Sequence, residues 1–120
     1  MTTAAVVDHI PTEHDEQRTF VQWFRRKFPD VRIFSIPNGG WRSPATAAKL
    51  KVEGLSKGVP DLFIPAWRTF VEMKRIKGGR LSPEQEDWKG YLEESGYQVL
   101  VCHGCEEAIK NLEEVCAWQI

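Results

Sequence analysis

Asp61-Leu62-Phe63-Ile64-Pro65-Ala66-Trp67-Arg68-Thr69-Phe70-Val71-Glu72-Met73-Lys74 is the stretch on which the fold turns. Two apolar runs are separated only by Pro65-Ala66-Trp67-Arg68, which predicts a hairpin of strands from Asp61 to about Ile64 and from Thr69 to Lys74. Side chains alternate across a strand, so Phe70, Glu72 and Lys74 share one face and Val71 and Met73 the other. An acid and a lysine thus point together from a strand that reads as central, and Asp61 begins its partner. Two carboxylates brought close repel unless a proton, a cation or a metal lies between them. Hard oxygen ligands select Mg²⁺ or Mn²⁺, which keep waters and take few protein carboxylates plus phosphate oxygens. A lysine beside them orients or deprotonates a water, or stabilises charge on a phosphate. The bland reading of these residues is a structural Glu–Lys pair on an exposed strand face.

Upstream, Thr12 caps a helix on which Phe20, Trp23, Phe24 and Phe28 recur at helical spacing, and Pro29-Asp30 ends it. Val31–Ile36 reads as a strand closed by the turn Pro37-Asn38-Gly39-Gly40. Ser43-Pro44 opens a second helix to about Glu53, with Gly54 as its stop. Downstream, Lys77-Gly78-Gly79-Arg80 is a flexible basic turn, and Ser82-Pro83-Glu84-Gln85 opens a third helix with cap, N1 proline and capping-box Gln. Tyr97–Val101 is a strand. Glu106 to about Ala117 is a last helix with Ala108, Ile109, Leu112, Val115 and Cys116 inward. The order α-β-α-β-β-α-β-α predicts an α/β fold, a mixed sheet with helices packed on it. One domain spans residues 1–120, with 1–11 a loose leader.

The 120 residues carry 16 Lys+Arg against 17 Asp+Glu, a formal net charge of −1. That balance argues against a nucleic-acid partner only until it is resolved along the chain. Residues 1–16 sum to −4, residues 17–80 to +10 and residues 81–120 to −7. A concentrated basic middle is a footprint for phosphate binding, or else a solvated face balanced by the acidic helices. No apolar run approaches the ~18–20 residues of a membrane span, and the N-terminus lacks the basic region of a signal peptide. Three cysteines are too few and too odd for a disulfide framework, which points to a reducing cytoplasm.

Two further residues sit where polar side chains are not expected. Glu16 lies four residues before Phe20 and eight before Phe24, on the apolar stripe of the first helix. It is either solvated near the helix end or aimed into a site. Gln85, three residues before Trp88 and seven before Leu92, is either a capping-box residue or a second inward group. The loop Ser56-Lys57-Gly58 offers a hydroxyl, an ammonium and close backbone approach just before Asp61, a weak phosphate cradle.

Pro60-Asp61 followed by Glu72-Met73-Lys74 resembles the PD-(D/E)XK nuclease signature. Set within Lys51-Val52-Glu53-Gly54-Leu55-Ser56-Lys57-Gly58-Val59-Pro60-Asp61-Leu62, with Glu16-Gln17 before it and Leu81-Ser82-Pro83-Glu84-Gln85 after it, the whole resembles the VRR-NUC domain over roughly residues 12–104. The resemblance implies a restriction-endonuclease-like core and metal-dependent cleavage of DNA phosphodiesters. By position it makes Asp61, Glu72 and the Met73 carbonyl ligands of Mg²⁺ or Mn²⁺, and Lys74 the catalytic lysine. It makes Glu16 an acid supporting the metal or its waters, and Gln85 the helix glutamine of the site. The short chain looks like the stand-alone form of phages and prophages, whose members are similar to Holliday junction resolvases and act as homodimers. A bacterial or phage-infected cytoplasm follows as the expected location, with no membrane and no small-molecule cofactor.

Arg42, Lys49, Ser56, Lys57, Lys77 and Arg80 are the expected DNA contacts, positioning the backbone without reading sequence. Flap or other branched DNA is an alternative substrate. A non-catalytic DNA-binding module of the same fold is a rival, although a pure binder has no need to bring two acids together. A zinc protein built on Cys102-His103-Gly104-Cys105 is a weaker rival, since no second CxxC exists. Trp23 and Trp88 have core spacing, whereas Trp41 and Trp67 are open to stacking on a base, sealing a dimer or core packing.

Overall fold

The computed structural model describes residues 10–37 and 41–119. The expected leader up to His9 and the turn residues Asn38, Gly39 and Gly40 lie outside the described residues. Helix α1 is Glu13–Lys27. It starts where Thr12 and Asp15 exchange capping-box hydrogen bonds, and Arg25, Arg26 and Lys27 complement its C-terminal dipole. Strand β1 (Phe34–Ser35), helix α2 (Pro44–Val52), strands β2 (Leu62–Ile64) and β3 (Thr69–Lys74), helix α3 (Pro83–Glu94), strand β4 (Gln98–His103) and helix α4 (Cys105–Gln119) follow, in the order the sequence predicts.

The sheet order is β1-β2-β3-β4, antiparallel at the first two pairings and parallel between β3 and β4. The hairpin turn is a single 3-10 turn, Pro65–Trp67, leaving Arg68 left-handed at φ 49° with its guanidinium 4.3 Å from the Tyr97 ring. Strand β3 is buried along its whole length. Val71 and Met73 face one core with Phe20 and Phe24 of α1 and Ala108 and Leu112 of α4. Phe70 faces the other with Leu92 of α3 and Val99 of β4. Alternation therefore turns Glu72 and Lys74 toward the α3 side of the sheet. Trp67 packs edge-on against Phe24 and Phe28, at 5.6 and 5.0 Å between centroids, so it is a core residue.

Three expectations are corrected. The strand expected over Val31–Ile36 shortens to Phe34 and Ser35, with one further bond from the Ile36 N–H to the Asp61 carbonyl at 2.7 Å. Val31 instead closes a turn onto the Phe28 carbonyl, and Ile33 is buried in the core. Strand β4 runs two residues beyond Val101, since parallel pairing continues through Lys74 and His103. Cys116 is half-buried rather than part of the core, whereas Ala108, Leu112 and Val115 are buried. Among the described residues no helix is long and apolar enough to cross a membrane.

Candidate active site

The hairpin register places Pro60 opposite Met73, and proline has no N–H to offer the ladder. The ladder therefore stops at Leu62 and Val71, and Asp61 uses its side chain instead: Oδ2 accepts the Met73 N–H at 2.8 Å. In a strand the N–H and C=O of one residue leave on the same edge, so the Met73 carbonyl faces the Asp61 side. Asp61 and Glu72 are close enough to share a carboxyl–carboxyl hydrogen bond.

Glu72 and Lys74 are almost fully buried, at 3% and 7% exposure. Burial, then the charge of Asp61 and the hydrogen bond to it, push the Glu72 carboxyl up to about 9, with Lys74 acting in the opposite direction. Lys74 Nζ stands 3.8 Å from Glu72 Oε2. Gln85 closes the group. Its Oε1 accepts from Lys74 Nζ at 2.9 Å and from the Ser82 N–H at 2.8 Å, while Nε2 donates to Glu72 Oε2 at 3.2 Å. The two readings of Gln85 are thus both true: one oxygen completes the capping box and holds the lysine.

Glu16 is buried, the inward of its two alternatives, and its Oε1 accepts the Cys105 N–H at 2.8 Å. It fastens the first turn of α4, which adjoins β3 through the Gly104 N–H and the Lys74 carbonyl at 3.0 Å. The α1 acid whose charge reaches Glu72 is Glu13. Its spacing of three from Glu16 puts it on the same face of the helix.

Of the expected DNA contacts, Arg42, Ser56 and Lys57 line one cleft of about 630 Å³ together with Lys51. Lys49 is exposed on α2 outside that lining. The loop ends at buried Gly58, where a side chain would stand 2.6 Å from the Glu84 backbone, so the loop is seated on the first turn of α3. Lys77 and Arg80 are exposed on the turn after β3, where Gly79 lies against Lys74. Trp41 is 87% exposed at the root of the cleft-bearing segment, while Trp23 and Trp88 pack against the two cores.

Cys102 and Cys105 are buried free thiols, with Cys102 pushed up to about 11 by burial. Among the described residues no three His, Cys, Asp or Glu side chains converge on one point. The oxygen set of Asp61, Glu72 and the Met73 carbonyl fits an ion that takes few protein ligands and completes its shell with water and phosphate. A carboxyl pair that otherwise retains a proton fits a cation for the same reason.

A family model, the VRR-NUC domain, matches residues 2–106. The chain belongs to the VRR-NUC domain family. A solved structure described as a VRR_NUC domain protein is similar to it at 25% identity and a TM-score of 0.75, over 88% of each chain. No curated protein matches the chain. VRR-NUC membership carries a nuclease-type fold and DNA as the partner, and it agrees with the mixed sheet flanked by helices.

Proposed function

We propose that this VRR-NUC protein is a divalent-metal-dependent endodeoxyribonuclease that hydrolyses phosphodiester bonds in branched DNA. Its preferred substrate on this reading is the Holliday junction, cut in the cytoplasm by a homodimer. The observation that carries the catalytic part is the hydrogen-bonded set Asp61, Glu72, Lys74 and Gln85 beside a segment rich in bases.

Asp61, Glu72 and the Met73 carbonyl would hold Mg²⁺ or Mn²⁺, with Glu72 in its carboxylate form. When bound, such an ion would supply positive charge to the phosphate oxygens and acidify a water. Lys74, its ammonium steadied by Gln85, positions the attacking water and offsets charge developing on the phosphate oxygens. Gln85 also fixes the Glu72 oxygen that its amide touches. Glu16 holds the α4 N-terminus against the end of β3 and supports the site from there. Arg42, Lys57, Lys77 and Arg80 engage phosphates on either side of the cut.

The test is a panel of labelled junction, flap, nicked and single-stranded DNAs incubated with Mn²⁺ or Mg²⁺, with product ends mapped. Symmetric paired cuts in the four-way junction are expected. Cleavage that survives EDTA, or binding without any cleavage, would overturn the reading.

A further inference from the structure

His103 lies on no motif that the reaction uses, yet each of its ring nitrogens faces an acceptor. Nδ1 is 3.3 Å from Glu107 Oε2 and Nε2 is 3.0 Å from the Gly79 carbonyl. Its backbone N–H also donates to Glu107. Parallel pairing sets His103 directly beside Lys74, and period-two alternation turns both toward the α3 side. The ring therefore spans from the first turn of α4 to the turn between β3 and α3.

That turn is pressed onto the lysine. A side chain at Gly79 would come within 2.8 Å of Lys74 Cβ and 3.2 Å of the Arg75 N–H nitrogen, so the Gly79 backbone itself covers the lysine stem. Lys77 and Arg80, on either side of Gly79, are exposed. Apart from this histidine bond, no other side-chain hydrogen bond ties Lys77, Gly78, Gly79 or Arg80 to the body of the protein among the described residues.

We infer that His103 is a positioning residue: its ring fastens the Gly79 carbonyl to α4 and holds the Lys77–Arg80 turn over Lys74, where the two bases meet the DNA backbone. The inference rests on the proposed nuclease reading for its consequence and on the ring contacts for its geometry. Lys74 keeps its own anchor in Gln85, so loss of His103 weakens the grip on DNA more than the chemical step.

The experiment compares wild type, His103→Ala, His103→Gln, Lys77→Ala/Arg80→Ala and the triple variant. With junction DNA and Mn²⁺, His103→Ala should raise KM about tenfold with kcat within about twofold, a split that simple loss of folded enzyme does not produce. His103→Gln, whose amide can still donate to Gly79, should recover most of the loss. Adding His103→Ala to the double variant should cost nothing more, since the turn has no bases left to place. Amide hydrogen exchange without metal or DNA should rise at residues 78–80 in His103→Ala alone among the single variants. Unchanged exchange, or additive losses in the triple variant, would overturn the inference. If wild type never cleaves DNA, the nuclease reading fails while exchange and DNA affinity in EDTA still decide the role of His103.

Discussion

Lys74 Nζ and Gln85 Oε1 lie 2.9 Å apart, and the same oxygen receives the Ser82 N–H at 2.8 Å. The ammonium of the site is thus tied to the start of a helix, whose position the capping box fixes. Replacing Gln85 by Ala should cost about 1 kcal/mol of stability through the lost cap. It should also lower kcat by roughly 10–100-fold, the usual effect of losing a supporting partner. Thermal melts and single-turnover cleavage separate the two. Full activity in Gln85→Ala would remove the residue from the site.

Lys74→Ala should abolish cleavage and leave DNA retention largely intact, because the bases proposed to grip phosphate lie elsewhere. Mobility shifts in EDTA, paired with cleavage in Mn²⁺, make the comparison. Undiminished cutting would sink the assignment of the lysine.

Asp61→Asn keeps an oxygen for the Met73 N–H, whereas Asp61→Ala leaves that donor without its partner. Both should be inactive. Only the alanine should also melt earlier, by an amount corresponding to about 1–3 kcal/mol. Circular dichroism melts of the two proteins test this, and equal stability would show that the Asp61–Met73 bond contributes nothing.

Glu72 gives a pH dependence with a definite sign. Its folded-state pKa is raised, to about 9 from 4.5, chiefly by burial and by Asp61. The folded chain therefore binds the proton that the unfolded chain has released, and this contribution to stability is present at low pH and lost as pH rises through the folded value. In EDTA the melting temperature should fall between pH 5.5 and 9, with a slope of at most about 1.4 kcal/mol per pH unit from this group. Glu72→Gln should flatten the fall. Mg²⁺ competes with the same proton, so its stabilising effect should grow over the same interval. A wild-type profile matching that of Glu72→Gln would contradict the assignment.

Glu16→Ala should destabilise by about 1–3 kcal/mol, having removed the acceptor of a buried N–H. Glu16→Gln retains that acceptor and should restore most of the stability. It should leave the Mn²⁺ concentration for half-maximal cleavage unchanged. A large rise in that concentration would return Glu16 to the metal.

The hairpin, the central strand and the inward faces of its residues were legible because alternation over six residues is a local signal. Gln85 was legible as an ambiguity, and the fold resolved it by using the same oxygen twice. Glu16 was legible only as an alternative, solvated or inward, because its partner lies 89 residues away and no spacing announces such a contact. His103 was hidden by ending the strand at Val101. Continuing the alternation of Val99 and Val101 by one step would have set it beside Lys74. The shortness of β1 goes with Val31 turning back onto the Phe28 carbonyl, a contact that the alternation of Val31–Ile36 does not announce.

Gly58 has no room for a side chain because its backbone rests on that of Glu84. The loop of Ser56 and Lys57 and the helix turn that carries Gln85 therefore share a mechanical joint. Force applied to a phosphate held in the loop would be transmitted through two backbones in contact, and Glu84 is the residue next to Gln85, the lysine's anchor. Any bulk added at Gly58 would wedge that joint open, moving grip and catalyst apart together.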